Sequence, residues 1–382
     1  MEEKRLAVHL IERPAQLREA QRKGVKVVGY FPGNYVPEEL IYASGAIPVC
    51  LTRGGNAAAS EAGLTVVPRV ICPFARAQIG ERIARTDPYY AMLDMLVAPI
   101  TCQHLKKVAE VWEFQGGLEM FKLGIPQQCQ DDFELEYFID RLKALKDRLQ
   151  TFTGNEITDE KLSQAIRLYN RIKDGLKKIS LLRRASPTPI NALDFIHLNQ
   201  ASLYADPVVM VDILNSIYQE LKKKQSAART DAPRLLLVGP SLGYGDDTVL
   251  ELVREAGGEV VIEELYEGMR YYWNTIPDEA DRLAALARGY LIDRLPPAFM
   301  RYSARRRLDF NLDLIQKYQV AGVIWYQLLC CETYDAESYY FARKLEEQNI
   351  PMLILESDYS TADTGQMKTR IEALIEVVKG VM

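Results

Sequence analysis

Short apolar runs in the first third of the chain alternate with segments that have helical spacing. The first ~20 residues predict a peripheral helix, and further helices are predicted from Pro37 and from near His104. The apolar runs predict four strands, at Val25–Tyr30, Ile47–Leu51, Met95–Ile100 and Gly124–Gln128. Strands that alternate with helices favour a parallel sheet covered by helices.

The rest of the chain divides into a helical stretch and a second alternating unit. Residues 132–224 have helical spacing, and Ser226–Pro233 has the composition of a linker. One helix face is predicted from five apolar positions, Leu162, Ala165, Ile166, Tyr169 and Ile172. Beyond the linker we predict strands and helices at Arg234–Val238, Thr248–Ala256, Glu259–Glu263, Val320–Tyr326, Met352–Glu356 and Gln366–Val378.

These patterns predict the α/β class, with two Rossmann-like (flavodoxin-like) parallel-sheet domains and a helical insert between them. The expected divisions are an N-terminal α/β domain at 1–131, a helical segment at 132–230 and a C-terminal α/β domain at 231–382.

Composition and charge narrow the class of protein. Of 382 residues, 48% are hydrophobic and 26% are charged, and the net charge of −5 argues against nucleic-acid binding. The apolar runs are too short for a membrane span. The first residues, Met1–Arg5, lack the apolar core of a secretory signal, so we expect a cytoplasmic protein.

Six cysteines carry the strongest chemical signal: Cys50, Cys72, Cys102, Cys129, Cys330 and Cys331. All except Cys72 lie at the end of a predicted strand or follow one, and ligands of parallel sheets bind beyond the carboxyl ends of the strands. Buried apolar cysteines are one alternative. A zinc site is another, but the chain has three histidines and no C-x₂-C pair. Widely separated thiolates fit an iron–sulfur cluster better, although neither ferredoxin spacing is present.

Other motifs are less specific. The segment Gly239–Gly245 follows a predicted strand and precedes a helix, but it lacks the dinucleotide-binding glycine pattern and is typical of a simple turn. The chain has no P-loop and no G-x-S-x-G elbow. His104, two residues after Cys102, is either a hydrogen-bond donor or proton source near a cluster, or an ordinary residue at a helix start.

With these residues assembled, the chain resembles the 2-hydroxyacyl-CoA dehydratase and benzoyl-CoA reductase family of iron–sulfur subunits, from about Gly24 to Gly380. The resemblance lies in fragments in a fixed order: Val28–Pro32, Val36–Ile41, Ala43–Val49, Gly322–Ile324, Cys331-Glu332, Glu337, Ile350–Leu353, Glu356–Tyr359, Gly365-Gln366 and Thr369–Ala373.

The resemblance implies that Cys72, Cys102 and Cys331 hold a [4Fe–4S] cluster in which one iron lacks a cysteine ligand. It also implies that a separate ATP-hydrolysing iron–sulfur activator delivers the electrons, in agreement with the missing P-loop. Gln103 departs from the acidic residue often found after the second ligand in this family.

The remaining cysteines suggest one branch of the family, the double-cubane cluster proteins, which hold an [8Fe–9S] cluster on six thiolates and form homodimers. In that case Cys50, Cys129 and Cys330 are ligands as well. We therefore expect a low-potential reductase of small acetylene-like or N–N bonded molecules, in which His104, Glu332 and Tyr334 move protons. The alternatives are a dehydratase or benzoyl-CoA reductase subunit with one [4Fe–4S] cluster in a heterodimer, and a non-catalytic electron carrier. Each alternative implies an anaerobic setting.

Overall fold

The computed structural model describes residues 2–33, 35–129, 131–224 and 231–381. Two four-stranded sheets form its framework, with the strand orders β2-β1-β3-β4 and β6-β5-β7-β8, and every neighbouring pair is parallel. The strands are β1 (Val27–Tyr30), β2 (Ile47–Cys50), β3 (Met95–Ile100), β4 (Glu119–Gly124), β5 (Arg234–Val238), β6 (Glu259–Glu264), β7 (Gly322–Leu328) and β8 (Met352–Ser357). The predicted fold class, with two Rossmann-like sheets, is therefore confirmed.

Helices cover both sheets and fill the stretch between them. They are α1 (Glu2–Arg22), α2 (Glu38–Ala43), α3 (Ala57–Gly63), α4 (Pro73–Ala84), α5 (Pro88–Ala91), α6 (Gln103–Gln115), α7 (Asp132–Thr153), α8 (Asp159–Leu182), α9 (Ala192–Ser202), α10 (Pro207–Lys223), α11 (Thr248–Glu255), α12 (Met269–Tyr272), α13 (Arg282–Arg288), α14 (Ser303–Tyr318), α15 (Glu332–Glu346) and α16 (Thr364–Val381), with a π-helical turn at Gly289–Asp293. No helix in the described ranges is both long and apolar enough to cross a membrane.

One predicted strand is wrong. The fourth strand of the first sheet is β4, and the segment Gly124–Gln128 that we expected begins where β4 ends. Its Pro126 has no N–H to donate to a ladder, whereas β4 lies at the sheet edge with partly exposed side chains that give no apolar run. Cys129 consequently lies several residues beyond the strand and not directly after it.

The predicted helical stretch consists of α7 to α10. All five positions of the predicted apolar face of α8 are buried, and Thr158 caps this helix by accepting a hydrogen bond from the Lys161 N–H at 3.3 Å. Of the predicted linker, 226–230 lies outside the described residues, and Asp231–Pro233 is neither helix nor strand. The domain boundaries themselves remain a prediction.

The strand order creates equivalent crevices in the two sheets. In each sheet the direction of strand addition reverses between the two central strands, β1 and β3 in the first and β5 and β7 in the second, and such switch points open a crevice beyond the strand ends. The halves also touch through their backbones, because a Cβ placed on Gly55 would overlap the carbonyl oxygen of Gly243. Arg53 pairs with Tyr244 in an isolated parallel bridge at the same place.

Candidate functional site

Three of the six cysteines, Cys72, Cys102 and Cys331, line the same two cavities. The outer thiol cavity has a volume of about 140 Å³, and its other lining residues are Thr101, Gln103, His104, Gln127, Phe299, Glu332 and Thr333. The inner thiol cavity measures about 50 Å³, and it is also lined by Pro32, Gly33, Phe74, Thr101, Leu105, Pro240, Ser241, Tyr266, Leu328, Thr333 and Tyr334. Most lining residues of the inner cavity lie at or just beyond the ends of β1, β3, β5 and β7, so the crevices of both sheets contribute to one site.

Each of the three thiols stands at the beginning of a helix. Cys72 is the N-cap of α4, Cys102 of α6 and Cys331 of α15. Pro73 at the first position of α4 accounts for this start, because its fixed φ favours the first turn and its missing N–H is not needed there. Three helix N-termini therefore converge on the cavity, and their free N–H groups favour negative charge.

Burial and mutual repulsion keep these thiols protonated when they are alone. Burial raises the pKa of Cys72 well above its usual range, and the charges of Cys331 and Cys102 raise it further. Burial likewise raises the pKa of Cys102, and burial together with Cys102 raises that of Cys331 to about 12. The helix N-termini act in the opposite direction, as when the Leu105 N–H donates to Cys102 Sγ at 3.4 Å. Three thiolates at this site consequently require a cationic group to bind them.

The predicted proton-moving residues lie at different depths. His104 and Glu332 line the outer cavity, where Glu332 is exposed. Burial lowers the pKa of His104, against the opposing effect of Glu332. Tyr334 is fully buried beneath the inner cavity, and its hydroxyl accepts a hydrogen bond of 2.7 Å from Arg270.

The other three cysteines do not line either thiol cavity. Cys50 ends β2 and is buried beside Tyr30. Cys129 is half-buried in the loop before α7. Cys330 precedes Cys331 with φ of +63° and is also half-buried. Their assignment as cluster ligands stays a prediction.

The donor set fits a cluster better than a single ion. Within the described ranges, no three His, Cys, Asp or Glu side chains are grouped closely enough to hold one metal ion. In a four-iron cluster each thiolate binds a different iron, so the ligands surround a shared cavity, as these three do. The buried Tyr359 hydroxyl supports this fit, because it has no hydrogen-bond partner in the described structure and lies near enough to Cys72 for the two charges to interact.

Two lining residues, Ser241 and Phe299, and the buried Tyr359 near Cys72 were not predicted as part of a site. Ser241 belongs to the glycine-rich turn that we interpreted as a simple turn, and it lines the inner cavity. Tyr359 was noted only within a family fragment, yet it combines a buried hydroxyl with a φ of +71°. Phe299 follows a Pro-Pro pair in a segment without periodic pattern, so no sequence signal indicated it.

Comparison with known proteins assigns this chain to a family. Residues 34–378 match the family model described as 2-hydroxyglutaryl-CoA dehydratase, D-component. The chain is 28% identical over 365 residues to the protein named "Putative dehydratase subunit YjiM" of Escherichia coli (strain K12), covering 94% of this chain and 93% of that protein. It is 21% identical to the (R)-phenyllactyl-CoA dehydratase beta subunit of Clostridium sporogenes, covering 97% and 96%. It is 22% identical to a benzoyl-CoA reductase subunit of Thauera aromatica, covering 90% and 87%.

The family match spans most of the chain and includes all three cysteines of the thiol cavities. This chain therefore belongs to the 2-hydroxyglutaryl-CoA dehydratase D-component family.

Proposed function

We propose that this chain is the iron–sulfur subunit of a 2-hydroxyacyl-CoA dehydratase-type enzyme, with one [4Fe–4S] cluster on Cys72, Cys102 and Cys331. The observation that carries the proposal is the convergence of these three thiols, each at a helix N-terminus, on one pair of cavities. Soft thiolate ligands favour iron–sulfur clusters or zinc. Zinc prefers four ligands around one ion, and these thiols are not grouped in that way.

The residues around the thiols would have separate roles. When bound, the cluster supplies one-electron chemistry and an iron that is open to a substrate oxygen. The three helix N-termini stabilise the negative charge of the thiolates. Gln103 and Glu332 line the outer cavity, where a polar substrate group would enter, and His104 holds a proton there. Tyr334 and Arg270 close the inner side and exclude water.

The proposed substrate is an acyl-CoA thioester, and the proposed assembly needs partners. A relative at 21% identity is named as a dehydratase beta subunit, which favours a second, paralogous subunit. A separate ATP-hydrolysing iron–sulfur activator would supply electrons, and a cluster of this kind implies an oxygen-free cytoplasm. A homodimeric double-cubane reductase would require a second set of three thiols, and the first set alone accounts for the observed cavities.

The experiment that tests this function is the determination of iron and acid-labile sulfide per chain after purification without oxygen. We expect about four of each, and we expect the loss of both in the variants C72S, C102S and C331S. C129S is the matched control, because Cys129 lies outside the thiol cavities, and it should keep the wild-type content. About eight irons, with losses in C50S, C129S and C330S as well, would contradict the single-cluster assignment in favour of the double cubane. A folded, iron-free protein would contradict both.

A further inference from the structure

Tyr334 has a fully buried hydroxyl group that accepts a hydrogen bond and donates none within the described ranges. Arg270 Nη2 donates to Tyr334 Oη at 2.7 Å, and the tyrosine side chain has no exposed surface. A phenol has one proton to donate as well, and a buried donor without an acceptor is costly. No protein group in the described ranges accepts the Tyr334 proton. The hydroxyl group is therefore suited to donate to a group that binds beside it.

The ring of Tyr334 is held in one place by its neighbours. The guanidinium carbon of Arg307 lies 4.9 Å from the ring centroid, and the ring of Trp325 lies 5.7 Å away. Arg270 holds the ring at its oxygen. With the oxygen fixed, rotation of the O–H bond is the freedom that remains, and this rotation adapts to the available acceptor.

Arg270 is itself fixed by a closed set of buried contacts. Glu264 pairs with Arg270 and also lies 2.9 Å from Arg307 Nη2, and all three side chains are buried. Arg307 then pairs with Glu337, which follows Tyr334 by three residues on α15. The contacts thus begin and end on the helix that Cys331 caps. Arg270 cannot leave Tyr334 without disturbing a buried ion pair, so the acceptor side of the hydroxyl stays occupied.

The inner thiol cavity brings Tyr334 and the three thiols to one small space. Tyr334 lines this cavity together with Cys72, Cys102 and Cys331, and its volume of about 50 Å³ has room for only a few water molecules. A cluster that binds all three thiols would fill such a space and contact its walls. The sulfurs of iron–sulfur clusters accept hydrogen bonds, and these bonds help to set the reduction potential.

We propose that the Tyr334 hydroxyl donates a hydrogen bond to a sulfur of the cluster and thereby raises the reduction potential of the cluster. This inference rests on the proposed function, in which the cavity thiols hold a [4Fe–4S] cluster. An added electron makes the sulfurs more negative, so a donor stabilises the reduced form more than the oxidised form. The bond from Arg270 strengthens this effect, because a hydroxyl group that accepts from a cation becomes a better donor.

Reduction of the cluster leaves the bonds of Tyr334 intact. One electron leaves the ATP-hydrolysing activator, which is oxidised, and enters the cluster, which is reduced, while the proton stays on Tyr334 Oη. Burial raises the pKa of Tyr334 above its ordinary value, against the opposing effects of Arg270 and Arg307. The hydroxyl group consequently stays protonated at neutral pH and acts as a fixed donor.

The test compares Y334F with Y318F in the anaerobically purified, cluster-containing protein. Tyr318 is the matched control, because its buried hydroxyl donates to the Ser180 carbonyl at 3.3 Å and lines neither thiol cavity. The potential is measured by titration with titanium(III) citrate and redox dyes, followed by electron paramagnetic resonance. We expect Y334F to lower the equilibrium constant for one-electron reduction about tenfold, or about 59 mV, at unchanged iron content. Y318F should match the wild type.

Two further measurements distinguish a hydrogen bond from a change in packing. Electron–nuclear double resonance on the reduced cluster should detect an exchangeable proton that Y334F lacks and Y318F retains. Replacement of Tyr334 by difluorotyrosine keeps the ring and the hydroxyl group but makes the phenol a stronger acid, and hence a stronger donor. We expect the potential of this protein to lie above that of the wild type.

The outcomes separate this inference from the proposed function. An unchanged potential and resonance spectrum in Y334F, at wild-type iron content, would overturn the hydrogen bond and leave the cluster assignment intact. An equal fall of the potential in Y318F would also overturn it. If Y334F loses its iron, the difluorotyrosine protein decides, and a potential no higher than that of the wild type overturns the hydrogen bond. A wild-type protein without iron would overturn the proposed function itself.

Discussion

The backbone N–H of Cys72 donates a hydrogen bond of 3.2 Å to Nδ1 of His104. Because Nδ1 accepts, the neutral ring carries its proton on Nε2. Burial lowers the pKa of His104, which favours this neutral form. The contact joins the beginning of α4 to the first turn of α6, and thereby fixes Cys72 relative to Cys102.

Replacement of His104 should show whether its contact with Cys72 stabilises the bound cluster. In H104A the Cys72 N–H loses its acceptor, and we expect cluster loss to a chelator to accelerate by about ten- to hundredfold, as for other residues that orient metal ligands. H104N keeps an acceptor near the position of Nδ1 and should hold the cluster almost as well as the wild type. The measurement is the decay of cluster absorbance in the presence of chelator. Equal decay of H104A and wild type would show that the contact is dispensable.

Tyr359 and Tyr326 form a matched pair for stability measurements. The Tyr326 hydroxyl donates to Asp246 at 2.5 Å, whereas the buried Tyr359 hydroxyl has no partner in the described structure. In the cluster-free protein, Y326F should cost about 1–3 kcal/mol because it leaves a buried carboxyl group without its donor. Y359F removes an unsatisfied group and should leave stability unchanged or increase it. Denaturant unfolding checks both, and an equal loss in Y359F would mean that its hydroxyl is satisfied.

The buried carboxyl group of Glu38 should make stability fall as the pH rises. Burial and the neighbouring Glu39 raise its pKa from 4.5 to about 7, so over this range the folded state holds a proton that the unfolded state has released. Stability then decreases by up to about 1.4 kcal/mol per pH unit. In E38Q this contribution is absent. We expect the thermal midpoint of the wild type relative to E38Q to fall between about pH 5 and about pH 8, and a constant difference would contradict the raised pKa.

Removal of Lys173 alone from its ion pair with Glu39 should strongly reduce the stability of the folded protein. Both side chains are fully buried, and Lys173 Nζ lies 2.6 Å from Glu39 Oε1. K173A would leave an uncompensated buried carboxylate, and we expect a loss of about 3–5 kcal/mol. K161A is the control on the same helix, because Lys161 is exposed and its ammonium group donates to the carbonyl of Glu156. Similar thermal midpoints for the two variants would contradict the prediction.

A side chain at Gly55 should destabilise the protein, because Gly55 lies very close to Gly243. A methyl group on Gly55 would overlap the Gly243 carbonyl oxygen, so G55A must push the two halves apart. We expect a loss of about 1–3 kcal/mol, as for other overpacked sites. G365A is the control, because a Cβ there meets nothing within 4 Å. Calorimetric unfolding of both variants tests this, and an unaffected G55A would mean that the contact is looser than observed.

The sequence predicted the sheets well because their strands are buried and their apolar runs are continuous. The bounds of β3 and β5 agree with the prediction, whereas those of the edge strand β4 do not, since half-exposed strands carry no such run. Helix α4 was not predicted, although Pro73 after Cys72 indicates its start.

The sequence predicted only those parts of the site that lie at the ends of strands. Cys102 and Cys331 follow β3 and β7, and the rule that ligands bind at strand ends applies to them directly. The bond from Ser241 to Glu267 and that from Arg270 to Tyr334 join residues far apart in sequence. Both pairs join segments that follow different strands of the second sheet, and no local sequence pattern encodes how such segments meet.

The division of the thiols between the two sheets has a consequence for synthesis. Cys72 and Cys102 belong to the part of the chain that leaves the ribosome first, and Cys331 follows Cys102 by 229 residues (331 − 102). At roughly 5–20 residues per second, translation of that interval takes on the order of 10–50 seconds. During this time the first sheet can fold with two thiols already in position and the third still unmade. Under the proposed function, iron delivery must therefore wait for the final strands, and a nascent chain stalled before β7 would expose two thiols that no cluster protects.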